Sequence, residues 1–165
     1  MTKVEPMNVA KFERFFRAAA GLDVDKSDLR RYNDFVTQKT YDLLIRGKAV
    51  AKANGRDIIQ PFDLPITKGL QESIHIFNEI DEKGELLPIL DYIAGLPQLD
   101  LAYSDDTKTE LPRIVGGLSV ALARAFKIID PELKNPQTLH WERAFSIFKL
   151  LLQDKSASSI SNTAV

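Results

Sequence analysis

The sequence predicts an all-α protein built from two short-long-short helix triplets in one chain, and three observations predict it. Apolar side chains recur at spacings of three and four, the stripes break at glycine and proline, and the order of segment lengths occurs twice. With 165 residues, 44% of them hydrophobic, the chain has material for a real core in one domain or two small ones.

The first stripe, Val9, Phe12, Phe15, Phe16 and Ala19, is a short helix that stops around Gly21. Asp25 or Ser27 can cap the next helix, and Asp28 suits its positive N-terminal end. That helix is long. Tyr32, Phe35, Val36, Lys39, Leu43, Leu44, Gly47, Ala51 and Asn54 hold a near-helical period until Gly55 offers a left-handed stop. Asp57-Ile58-Ile59 reads as a short extended piece. A third helix is expected after Pro61 and Pro65, with Asp63 as its cap, Pro65 in its first turn and Ile66, Leu70, Ile74 and Phe77 on its apolar face. Asp81-Glu82-Lys83-Gly84 is charged and ends in glycine, so it reads as a link.

The pattern then recurs. A short helix spans about Leu86 to Ala94, with Pro88 in its first turn, and ends at Gly95-Leu96-Pro97. After a polar loop, a long helix is expected from Thr109, with Pro112 in its first turn and Leu111, Ile114, Val115, Leu118, Leu122, Ala125, Phe126 and Ile129 on one face, until Pro131 stops it. The last helix starts near Asn135-Pro136 or Thr138 and presents Leu139, Phe145, Phe148 and Leu152. A Ser/Ala-rich stretch, residues 154–165, reads as a disordered tail. Neither triplet covers its long helix alone, so residues 8–80 and 85–153 are expected to pack on each other as one compact domain, an intramolecular pseudodimer.

Ala53-Asn54-Gly55-Arg56-Asp57-Ile58-Ile59-Gln60-Pro61-Phe62-Asp63 resembles the histone pattern of Gly-Arg, a short β segment, and Asp seven residues after the Arg. On these residues and the element order, about residues 8–153 resemble a histone fold, and specifically the bacterial single-chain, doubled histone-fold family catalogued as a domain of unknown function. The resemblance implies that Arg56 and Asp63 form an intramolecular clamp; the competing reading leaves Asp63 a helix cap and Arg56 solvated. In the second half Thr138-Leu139-His140-Trp141-Glu142-Arg143 resembles the same segment, but Pro136 stands where the clamp Arg would be and Arg143 where the Asp would be. The clamp is expected to be missing or rebuilt there.

Direct transfer of the family's chemistry would make this a DNA-wrapping protein, yet the residues depart at the paired loops. Asp23 stands where a histone places Arg beside the loop's hydrophobic residue, and Asp57 and Ile58 replace the Lys and Thr that follow the clamp Arg. A carboxylate there repels a phosphate oxygen. Basic and acidic residues nearly cancel, 22 against 23, with 13 of each in residues 1–82 and 9 against 10 in the remainder. The basic excess that normally drives counterion release from nucleic acid is lacking. Lys11, Arg14 and Arg17 on the first helix, with Arg30, Arg31, Lys39, Arg46, Lys48 and Lys52 on the long one, are interspersed with acids and read as a solvated face. They keep open a face for nucleic acid or a protein partner.

Nothing points to catalysis or to a cofactor. Cysteine is absent, which excludes disulfides and thiolate chemistry and leaves zinc only His75, His140 and carboxylates. The two histidines lie in different halves, outside any metal-ligand spacing, and no Gly-rich phosphate loop is present. Gly116-Gly117 reads as a close helix crossing, Asp105-Asp106 as ordinary loop acids, and Trp141 with Phe145 as core rather than a stacking platform. No apolar run approaches the roughly 20 residues of a membrane span, and a cytoplasmic, monomeric pseudodimer is expected, with higher oligomers open. The sequence thus favours a non-enzymatic interaction or scaffold module with an unidentified protein partner; weak, nonspecific DNA binding by a nucleoid-associated protein is the alternative, and an uncharacterised enzyme the second.

Overall fold

Asn8 and Gly21 bracket the first helix. The Asn8 carboxamide accepts the Lys11 amide at 2.8 Å, and Gly21, at φ 64°, lets its own amide return to the Arg17 carbonyl. Between them lies α1, Val9–Ala20, whose Phe12, Phe15 and Phe16 are buried. The computed structural model describes residues 7–94 and 96–152 of the chain and is mostly helical.

Helix α2, Lys26–Ala53, opens on a capping box: Asp25 accepts the Ser27 and Asp28 amides, and Asp28 accepts the Asp25 amide. A two-residue strand, β1 (Ile58–Ile59), and a 3₁₀ turn at Pro61–Asp63 lead to α3, Lys68–Ile80. The sequence places the start of α3 too early. Thr67, not Asp63, caps it by accepting the Leu70 amide at 3.2 Å; Pro65 and Ile66 precede the helix, and Asp63 closes the 3₁₀ turn instead by accepting the Gln60 amide at 2.8 Å.

The second half repeats the order short, long, short with α4 (Leu87–Ala94), α5 (Asp105–Ile129) and α6 (Thr138–Leu152). Both Asp81 carboxylate oxygens accept amides at the entrance to α4, from Leu86 and Leu87. Helix α5 begins four residues before the expected Thr109, because Ser104 caps it by accepting the Thr107 amide at 3.1 Å. Asp105 and Asp106 are therefore first-turn acids, well placed against the helix dipole, not loop residues. Pro112 consequently lies inside the helix and deprives the Lys108 carbonyl of its donor, at an exposed residue where water can substitute. Leu139 also departs from expectation: at 50% exposed it belongs to the solvent side of α6, whose buried face is Trp141, Ala144 and Phe148. The expected stop at Gly95 and the tail from residue 154 lie outside the described residues. No helix among the described residues is long and apolar enough to cross a membrane.

The polar loop before α5 carries a strand that no periodicity announces. Strand β2 (Ala102–Tyr103) pairs in parallel with β1, Ile58 opposite Ala102 and Ile59 opposite Tyr103. Its amide bonds run from Ala102 to the Asp57 carbonyl and from Ser104 to the Ile59 carbonyl, both at 3.1 Å. At the other end of α2, the Asp23 amide donates to the Lys134 carbonyl at 2.7 Å, so the loop before α2 meets the loop before α6. One continuous core joins the halves. Within it the Tyr32 and Ser119 hydroxyls are 2.8 Å apart, and burial pushes the Tyr32 phenol well above its ordinary value. The Trp141 indole donates to Asp28 at 2.7 Å; burial raises the Asp28 carboxyl, against the pull of its hydrogen bonds. Phe35 packs on Phe145 and Phe148, and Trp141 packs on Phe126 and Phe145, so all three aromatics of α6 face the core. Gly116 and Gly117 let α5 lie directly on α3: a β-carbon would stand 2.4 Å from the Phe77 ring at the first and 2.5 Å from the Ile74 side chain at the second.

Candidate functional site

The turn after α2 brings Arg56 and Asp63 together. Gly55, at φ 71°, turns the backbone so that the Arg56 amide returns to the Ala51 carbonyl at 2.9 Å, which aims the guanidinium across β1. Its two terminal nitrogens donate to the two Asp63 carboxylate oxygens at 2.6 and 2.5 Å. The guanidinium also lies 5.0 Å above the exposed Phe62 ring. The Arg56 hydrogen bond is the main cause that holds the Asp63 carboxyl below its ordinary range. Asp63 is buried and accepts the Gln60 amide as well, so one carboxylate ties α2, β1 and the 3₁₀ turn into a single loop.

Asp63→Ala should therefore cost about 1–3 kcal/mol of stability, more than a lone cap, since the guanidinium loses its only carboxylate partner among the described residues. Because the folded carboxyl titrates below the unfolded one, this contribution is complete above the ordinary value of 3.8 and is lost as the pH falls through the lower folded value. A double-mutant cycle with Arg56→Ala, followed by urea denaturation at pH 7, measures the coupling; an uncoupled pair would leave only the cap.

The basic residues singled out on α1 and α2 differ in their surroundings. Lys39 is no surface residue: it is 4% exposed, and its ammonium donates to the buried Asp42 carboxylate at 3.0 Å, which also accepts from Gln38. It must be removed from any binding face. Lys48 and Lys52 converge on the two carboxylate oxygens of Asp100, each at 2.7 Å, and both cations hold the Asp100 carboxyl far below its usual range. Asp100 belongs to the loop just before β2, so this cluster sits beside the strand pairing. Arg17 on α1 is 3.5 Å from Asp23, and Arg31 donates to the Thr138 hydroxyl at 2.8 Å. Among the described residues Arg14, Arg30 and Arg46 are exposed and make no ion pair, and Lys11 is half-buried.

Asp23 and Asp57 are both exposed, but they do not share one site. They flank the two ends of the 28-residue helix α2, roughly 40 Å apart along its axis at about 1.5 Å per residue. Asp57 and the half-buried Ile58 stand at the β1–β2 crossing, and Asp23 at the crossing with Lys134. In the second half Arg143 is exposed on α6 and makes no ion pair among the described residues, and Pro136 is buried. That turn is held by other means: the Gln137 amide donates to His140 Nδ1 at 2.9 Å and the Lys127 ammonium to the Leu133 carbonyl. His75 faces Glu79 on the surface, and His140 is 3.9 Å from Asp130. No group of three or more His, Asp and Glu among the described residues is arranged to hold a metal ion.

Residues 12–149 match the model of a family described as a domain of unknown function (DUF1931). The chain belongs to this family. Two Aquifex aeolicus relatives, each described as an uncharacterized protein, are 30% identical over 133 residues (81% of this chain, 78% of the relative) and 31% identical over 144 residues (78% and 83%). A crystal structure from Thermus thermophilus superposes with a TM-score of 0.79 at 55% identity, covering 88% of this chain and 99% of the other. A second, from Aquifex aeolicus, gives 0.76 at 28% identity over 92% and 99%. The DUF1931 match takes in α2 to α5 in full and thus both loop crossings.

Proposed function

We propose that this DUF1931 protein is a histone-like pseudodimer without catalytic activity, whose two units occupy residues 8–80 and 85–153, and that it works as a protein-interaction or scaffold module. Two crossings support the pseudodimer: the loop after one long helix meets the loop before the other, once as β1 against β2 and once as Lys134 against Asp23. Each triplet thereby covers the long helix of the other.

The observation that carries the functional reading is the carboxylate at each crossing. Asp100 neutralises Lys48 and Lys52, Asp23 faces Arg17, and Asp57 stands exposed where a phosphate would approach. A histone-type contact would have to break these pairs and then place phosphate oxygens beside carboxylates. Duplex DNA should therefore bind weakly near physiological salt. The slope of log K against log salt should also be far shallower than the roughly −0.9 per phosphate of a protein that neutralises six or more. Asp23→Arg with Asp57→Lys should raise affinity and steepen that slope, whereas changing Glu13 or Glu79 should do less. Fluorescence anisotropy across a salt series measures both.

Arg14, Arg30 and Arg46, exposed and without an ion pair among the described residues, favour a second reading, nonspecific nucleic-acid binding by a helix face. Tight, steeply salt-dependent binding that is lost when Arg30, Arg31 and Lys52 are neutralised would place that reading first.

A further inference from the structure

We propose that the groove between α3, α5 and α6 binds the carboxylate and alkyl chain of a free long-chain fatty acid. The groove encloses about 670 Å³, within the range of small-molecule sites. Small side chains, Ala19, Ala20, Ala121 and Ala125, leave room in its lining beside Leu118 of α5 and Phe148 of α6. Its rim carries Ile128, 81% exposed, and Leu151, 74% exposed, which no other described element covers.

One end of this apolar trough is polar and suited to an anion. Thr67 and Gly69 line it, and the amides of Lys68 and Gly69, at the start of the 13-residue α3, make no hydrogen bond among the described residues. Space where a Gly69 side chain would stand is open, so the backbone can be approached. Ser73 supplies an independent indication. It is 9% exposed and lines the groove, yet its hydroxyl has no partner among the described residues, whereas Ser119 and Ser146 bond back to carbonyls of their own helices. Arg124 and Lys127 are the charged residues of the lining, and the Lys127 ammonium is already held by the Leu133 carbonyl. Arg124 is exposed and makes no ion pair among the described residues.

Charge selects the occupant. A second copy would bring another Arg124 and Lys127 to a lining that contains no carboxylate, so like charges would meet. The sequence of residues 153–165 carries two branched aliphatic side chains, Ile160 and Val165, among mostly small and polar ones. A fatty acid matches this lining, with its alkyl chain along the alanines and its carboxylate at Arg124 and Ser73.

Calorimetric titration of the full chain with oleate below its micelle concentration tests this, and one molecule per chain should bind saturably. Arg124→Gln, at an exposed position, should weaken oleate binding about tenfold through loss of a charge-assisted hydrogen bond. Methyl oleate should bind more weakly than oleate to the wild type and be indifferent to Arg124→Gln. Ala121→Phe should fill the groove and abolish binding; if that variant does not fold, the Arg124→Gln comparison decides alone. Absence of saturable binding, or equal binding of acid and ester, would overturn the proposal. So would a wild-type dimer in light scattering that Ala121→Phe dissociates, which would assign the groove to a second copy. Binding to phosphatidylglycerol vesicles without binding of monomeric oleate would equally overturn it, in favour of a membrane surface.

Discussion

Gly117→Ala should destabilise the protein, although helix propensity alone makes alanine about 1 kcal/mol better than glycine inside a helix. The added β-carbon would stand 2.5 Å from Ile74 Cγ1 and 3.0 and 3.1 Å from the Ile74 backbone nitrogen and α-carbon. A side-chain tip can rotate away, but a helix backbone cannot, so relief requires α3 to lift from α5. Next to it a β-carbon on Gly116 would meet the root of the fully buried Phe77 ring. Overpacking of this kind costs roughly 1–3 kcal/mol for small insertions and more where backbone must move, so Gly117→Val should lose about 3 kcal/mol or more. Against a typical total of about 5–15 kcal/mol, that removes a large share of the stability. Gly69→Ala is the control, because only the Thr67 hydroxyl lies near its added carbon, at 3.9 Å. Urea melts should show Gly69→Ala neutral or slightly stabilised and Gly117→Ala clearly weakened. Equal behaviour of the two would mean that α3 and α5 are not locked at these glycines.

The second large effect is expected in the middle of α2. Lys39 and Asp42 are 4% and 2% exposed and face each other at 3.0 Å. Asp42→Ala would leave a buried ammonium without its counter-charge, a change that typically costs about 3–5 kcal/mol. Replacing both partners by apolar residues of similar size, Lys39→Met with Asp42→Leu, removes the desolvation of two charges together with their attraction. It should leave stability within about 1 kcal/mol of wild type or raise it. Denaturation of both variants beside the wild type measures this directly. If the double variant proved as unstable as Asp42→Ala alone, the pair would be holding the core through its geometry, and simple electrostatic replacement would be the wrong account. DNA binding is a separate readout: Lys39→Met should leave it unchanged, because the ammonium is not on the surface.

Local signals were readable wherever the physics is local. Gly21 and Gly55 stop their helices by adopting positive φ, a property of the residue itself. Asp25 caps α2, and Asp63 lies seven residues from Arg56, because both relations span a single turn or loop. The six α-helices of the described residues, in their order, follow from period and punctuation for the same reason. The boundaries that moved did so through competition between nearby caps. Ser104 outcompeted a start at Thr109, and Thr67 took the role that Asp63 could not fill while bound to Arg56.

Periodicity places Lys39 on the apolar stripe of α2, but a cation on a stripe reads equally well as a solvated edge. Only the tertiary packing decides that Lys39 is buried, where it pairs with Asp42. Ala102-Tyr103 has no strand signal of its own; it is a strand because Ile58-Ile59 offers it a free edge across the molecule. Asp100 lies about fifty residues from Lys48 and Lys52, and no spacing rule relates carboxylates and ammonium groups over that distance. The groove is likewise invisible in one dimension, since its alanines lie on α1 and α5 and are ordinary helix residues until α3 and α6 wall them in. Helix identity and order are written in each segment because hydrogen bonds and caps act within a few residues. Burial, charge pairing and concavity were decided only in the tertiary structure, because they depend on which distant surface comes to cover each face.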